Sequence, residues 1–264
     1  MKRFLMCEPK FFEVCYVINP WMEGNMGKVN KALADKQWQH LHDTVAGLAS
    51  VSLIEPAAGL PDMVFTANAG LVHKNDFIVA SFLHAERQPE AKLFGQFFSA
   101  QGYRVQHLRE ETIFEGAGDA LFDSQERLWV GSGIRSDSHA LDEIIAVLDV
   151  EAHALELVDP RWYHLDTAFC SLPQGQAIAY AKAFSAKSVD ALEYAFGENI
   201  IWVSEPDAKN FACNAISIDR HIIMHKASAE LKLALKQRGF EVIEADVSEF
   251  LKAGGACKCL TLEI

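Results

Sequence analysis

Five times along the chain a short apolar run of β type follows a single small or polar residue, and these runs recur roughly every 50 residues. They are Ala69 to His73 after Asn68, Ala120 to Phe122 after Asp119, Thr167 to Leu172 after Asp166, Ala215 to Ile218 after Asn214, and Leu260 to Ile264 after Cys259. Each of the first four is followed by a turn-rich break: Lys74 to Asp76, Asp123 to Glu126, Pro173 to Gly175 and Asp219 to Arg220. A second apolar run comes next, such as Phe77 to Ser81 or Ile222 to His225, and two such runs around a break predict a hairpin. A helical stretch then takes over. Leu231 and Leu235 repeat on one face, Gly239 stops the helix, and Phe240 to Glu244 reads as a further strand. Near the start, Trp38, Leu41, Val45 and Leu48 form one apolar helix face ahead of a strand at Val51 to Glu55.

The repeating unit is therefore ββαβ. Cys259 opens only half a hairpin at one end of the chain, and Arg3 to Glu8 is a lone strand at the other. Joined, the two ends complete a fifth unit and close a ring. No Pro/Gly/Ser-rich linker divides the chain, so residues 1–264 are expected to form one domain. The expected fold is an α/β five-bladed pseudo-symmetric propeller, with hairpins around the axis, helices outside and the five marker residues converging. The spacing alone leaves an open α/β sheet with unrelated loops as the alternative.

Composition narrows the partners. Apolar runs such as Ile144 to Leu148 fall far short of the ~18 residues that span a bilayer, so no membrane helix is expected. Lys2 and Arg3 look like the start of a signal peptide, but the apolar run after them stops at Glu8 and Pro9. Six cysteines without an export signal read as reduced thiols in the cytoplasm. A formal net charge of −12, with no basic cluster, disfavours nucleic acid. Gly116-Ala117-Gly118 and Gly131-Ser132-Gly133 match neither nucleotide-loop pattern, and Cys257-x-Cys259 has no second ligand pair for a metal.

Groups able to do chemistry gather in three segments at strand entrances: Phe114 to Asp119, Tyr163 to Asp166 and Gly254 to Cys259. On an extended run, His164 and Asp166 are expected to share one strand face, offering an imidazole and a carboxylate together. A thiol of pKa ~8.5 becomes a nucleophile when a neighbouring donor or a bound cation favours its thiolate. The glycines allow backbone to approach a ligand closely.

Taken together, these residues resemble the guanidino-group-modifying superfamily of arginine deiminases, dimethylarginine dimethylaminohydrolases and amidinotransferases. The resemblance spans nearly the whole chain. Its carrying segments are Tyr16 to Met22, Pro61 to Asn68, Phe82 to Arg87, Glu115 to Asp119, His164 to Thr167, Phe211 to Ala215 and Gly254 to Thr261. Within the superfamily the sequence is most similar to arginine dihydrolase domains of cyanobacterial type, which convert arginine to ornithine, carbon dioxide and two ammonia. The resemblance implies the five-bladed propeller called a pentein and a reaction without cofactor. It implies Cys259 as nucleophile, His164 as general acid/base, Glu115 and Asp166 as carboxylates around the guanidinium, and Asn68 at the reaction centre. Asn19, Arg87, Arg135 and Asp119 fall where such enzymes hold the substrate, the two arginines meeting its α-carboxylate.

Many deiminases carry aspartate where Asn68 stands, and a neutral amide suits a neutral ureido group as second substrate. The chain stops shortly after the cysteine motif, so coupled proline formation is not expected. Alternatives are a deiminase or dimethylargininase stopping at citrulline, an amidinotransferase, a cysteine peptidase, and a non-catalytic binding module. The expected partner is a small guanidino compound, and exposed strand edges point to a homo-oligomer.

Overall fold

The computed structural model describes residues 2–264. Its strands form five three-stranded sheets, each built in the same way. In the first, Gly70–His73 pairs antiparallel with Asp76–Val79, which pairs parallel with Arg104–Gln106 beyond the helix Gln88–Ala100. The second uses Ala120–Phe122, Leu128–Ser132 and Ala152–Glu156 with helix Ala140–Leu148. The third uses Phe169–Leu172, Gln176–Ala179 and Ile200–Trp202 with helix Ala186–Phe196. The fourth uses Ile216–Ile218, His221–Met224 and Glu241–Glu244 with helix Ala229–Gln237.

The fifth sheet joins the two ends of the chain. Leu262–Glu263 pairs antiparallel with Arg3–Cys7, which pairs parallel with Ser50–Ile54 beyond helix Lys31–Ala46. The ring closes by chain pairing, as the half-units at the two ends predicted.

The middle strand of each blade is buried on both faces beyond, at most, its first residue. Asp76–Val79 and Leu128–Ser132 are buried throughout. Such strands read as unbroken apolar runs rather than alternating ones. Four hairpins turn on a residue with positive φ: Lys74 at 53°, Glu126 at 60°, Gln174 at 61° and Asp219 at 51°. That shared conformation is the local signature of the repeat.

One local expectation is corrected. His164 and Asp166 do not lie on an extended run, because Leu165–Ala168 forms a helical turn and the strand begins at Phe169. The turn sends the two side chains to different neighbours. Comparable short turns precede the inner strands at Thr66–Ala69 and Gly116–Gly118.

Candidate active site

The five marker residues meet on the axis, all buried: Asn68, Asp119, Asp166, Asn214 and Cys259. Hydrogen bonds run from each marker segment to the next around the ring. Asn68 Nδ2 reaches the Glu115 carbonyl (3.4 Å), and Asp119 Oδ1 accepts from the Leu165 N–H (2.9 Å). Asn214 Nδ2 donates to the Asp166 carbonyl (3.0 Å) and the Lys258 N–H to the Asn214 carbonyl (3.2 Å). The Ala67 N–H returns to the Cys259 carbonyl (3.1 Å). The circuit fixes the side chains before any ligand arrives.

A narrow pocket opens onto Cys259. Ile18, Asn19 and Met22 line it together with Asn68, Arg87 and Arg135. The sulfur lies 3.4 Å from Asp166 Oδ2 and 3.1 Å from Asn214 Nδ2. Burial, reinforced by the Asp166 charge, pushes the Cys259 thiol well above its ordinary pKa. Burial likewise raises Asp166 to about 6, with Lys258 acting in the opposite sense. The resting pair is therefore poor in charge, and a cation placed beside it favours ionisation of both.

His164 stands behind Asn68. Its Nε2 meets Glu115 Oε2 at 2.7 Å, and its Nδ1 lies 3.4 Å from Asn68 Nδ2. Glu115 is fully buried and also accepts from Arg135 Nη1 (2.9 Å) and the Leu83 N–H (3.2 Å). Burial alone would raise its pKa, but the His164 hydrogen bond and the Arg135 guanidinium hold it well below the usual carboxylate range. Glu115 is an ionised partner for the imidazole, with its oxygens committed to protein donors rather than turned to a ligand.

Other expected substrate contacts are committed as well. Arg87 donates from Nε and Nη2 to Glu90, from Nη1 to Asn68 Oδ1 (2.8 Å), and from Nη2 to the Asp62 carbonyl. It orients Asn68 instead of offering a free fork to a carboxylate. Asp119 lies in the wall, with Oδ2 taken by Ser136 Oγ (2.7 Å) and Oδ1 by Leu165, and burial raises it to about 6. Asn19 Oδ1 caps the turn Pro20–Met22, and its Nδ2 holds the Ala253 carbonyl. Arg135 Nη2 donates to the Ile18 carbonyl (2.8 Å). Both residues line the pocket.

Three further residues belong to the site. Asp62 lines the pocket; Oδ2 accepts from Tyr16, while its buried Oδ1 has no partner, which suits a guanidinium N–H. Tyr163 donates from its hydroxyl to the Gly254 carbonyl (2.8 Å), and the Arg135 guanidinium lies over its ring. Asn214 holds Cys259 directly. Asp62 falls within the Pro61 to Asn68 segment and Tyr163 adjoins His164, but neither neighbourhood specified the contact. Among the described residues, no group of three or more His, Cys, Asp or Glu side chains could hold a metal ion.

The family model for N,N-dimethylarginine dimethylhydrolase of eukaryotic type matches residues 23–264. The chain belongs to this family. ArgZ of Synechocystis sp., a bifunctional arginine dihydrolase/ornithine cyclodeaminase, is 48% identical over 99% of this chain. The chain spans only 37% of that relative's length. The N(G),N(G)-dimethylarginine dimethylaminohydrolase of Mycobacterium tuberculosis is 42% identical, with 100% of this chain and 86% of that relative covered. Among solved structures, a variant of the N-terminal domain of ArgZ bound to substrate superposes with a TM-score of 0.99 at 48% identity. The match covers 100% of this chain and 98% of that one, which is an arginine dihydrolase from the ornithine–ammonia cycle in cyanobacteria. The five-bladed propeller implied by the sequence resemblance is thus the fold of this family member. No helix among the described residues is long and apolar enough to cross a membrane.

Proposed function

We propose that this family member is an arginine dihydrolase, converting arginine and two waters to ornithine, carbon dioxide and two ammonia. The observation that carries the reading is the Cys259 sulfur facing a narrow pocket that also presents Asp62, Asn68 and Arg135. An arginine entering with its α-carboxylate on Arg135 brings its guanidinium to Asp62 and Asp166. Its positive charge favours carboxylates there and lowers the thiol's pKa, so that the sulfur proton passes to His164. The thiolate attacks the guanidinium carbon, and His164 protonates the departing ammonia. His164 then takes a proton from the water that resolves the S-alkylthiouronium. Glu115 stays ionised throughout and steadies the imidazole. The product, citrulline, undergoes a second hydrolysis at its ureido carbon. Six free cysteines suit a reducing, cytoplasmic setting.

Asn68 is the residue read as permitting the second step. Its Oδ1 is taken by Arg87, so its Nδ2 faces the imidazole and the Glu115 carbonyl as a neutral donor. A carboxylate there would pair with Arg87 and favour a cationic substrate over a neutral one. Mass spectrometry of products from arginine, citrulline, agmatine and methylated arginines tests the reading, with Cys259→Ser as the inactive control. Ornithine is expected from arginine and from citrulline; citrulline accumulating with no ornithine makes the enzyme a deiminase. Asn68→Asp is expected to shift the product toward citrulline by at least about tenfold.

A further inference from the structure

The sequence gives Asn214 no chemical role, yet its buried amide touches the sulfur and three backbone groups around it. Oδ1 accepts from the N–H of Cys259 (3.1 Å) and the N–H of Ala256 (3.2 Å). Two backbone donors on one end leave no ambiguity in the amide's orientation, because only an oxygen can receive them. The amino end therefore points at Cys259 Sγ (3.1 Å) and the Asp166 carbonyl (3.0 Å). The residue is wholly buried, so water does not compete for any of these bonds.

We propose that Asn214 is a catalytic residue: its Nδ2–H stabilises the Cys259 thiolate while its Oδ1 fixes the backbone that carries the sulfur. This rests on Cys259 being the nucleophile. The geometry separates two duties in one side chain. Asp166 faces the same sulfur as an acceptor and opposes ionisation, so the amide is the side-chain donor that offsets it. No other side-chain type of this size serves as well. Aspartate keeps the two acceptor bonds but turns an oxygen toward sulfur, and leucine keeps neither.

The test compares wild type with Asn214→Asp in the full chain by the rate of Cys259 alkylation with iodoacetamide at fixed pH, read by peptide mass spectrometry. Exposed Cys15 serves as internal reference. Loss of a donor to a thiolate is expected to slow Cys259 by about tenfold to a hundredfold while Cys15 is unchanged. A purely structural role predicts the opposite sign, because a loosened backbone exposes the sulfur and speeds the reagent. Should the aspartate disturb folding, Asn214→Ala removes the donor without burying a charge and carries the same expectation of slowing. A folded variant that alkylates at the wild-type rate or faster overturns the proposal. A wild-type Cys259 that resists the reagent altogether overturns it together with the nucleophile reading. A reactive Cys259 without guanidine hydrolysis removes only the reading of function.

Discussion

Asp166 and Cys259 occupy one buried corner, and their ionisations oppose each other across 3.4 Å. Burial lifts Asp166 to about 6, so its carboxyl is neutral at lower pH and charged above it. A guanidinium is held best by the charged form. The arginine kcat/KM is therefore expected to fall as pH drops below about 6, by about tenfold per unit, since this ratio reports groups of the free enzyme. The acid limb of kcat lies lower, because a bound cation favours the carboxylate. Stopped-time product assays across pH measure both limbs. A kcat/KM that stays flat down to about pH 5 removes Asp166 from the substrate's first contacts.

At the scale of elements, the segment before Cys259 depends on backbone that approaches other side chains closely. Gly254 has φ of 85°, and a Cβ there would stand 2.8 Å from the Tyr163 hydroxyl and 2.9 Å from Asn19 Oδ1. Gly254→Ala is expected to cost about 1–3 kcal/mol in urea unfolding and to lower turnover at least tenfold. Gly239, at φ of 87° after the helix Ala229–Gln237, has open space around its Cβ position. Gly239→Ala should cost about 1 kcal/mol through backbone strain and leave turnover intact. Equal activity losses in the two variants would assign the effect to strain alone. Gly254 was legible in the sequence as a site of close approach. Its neighbours were not, because Tyr163 and Asn19 reach Gly254 only through the ring's closure. The helical turn at Leu165–Ala168 escaped for a different reason: Leu165, Ala168 and Phe169 are apolar in a pattern that a buried strand also satisfies. Tertiary contacts, chiefly the Asp119 carboxylate on the Leu165 N–H, decide in favour of the turn.

Across the whole molecule, the ring converts local repeats into one mechanical circuit, and the period of the markers made that circuit readable from sequence. Each blade places one side chain on the axis, so widely separated residues such as Asn68 and Cys259 meet without any long loop to aim them. The weak point of such a design is the seam. Leu262 pairs with Leu5 across the joined ends, is 1% exposed, and stands three residues beyond Cys259. Leu262→Ala is expected to cost about 2–5 kcal/mol in denaturant unfolding. It should also depress kcat/KM per folded molecule, because the seam strand sets where Cys259 meets Asp166 and Asn214. Leu235, fully buried on the helix Ala229–Gln237 outside the ring, supplies the control. Leu235→Ala should destabilise by a similar amount and leave kcat/KM of the folded fraction unchanged. If both variants lose activity only in proportion to unfolding, the sulfur is positioned by its own segment, and closure of the ring contributes stability alone.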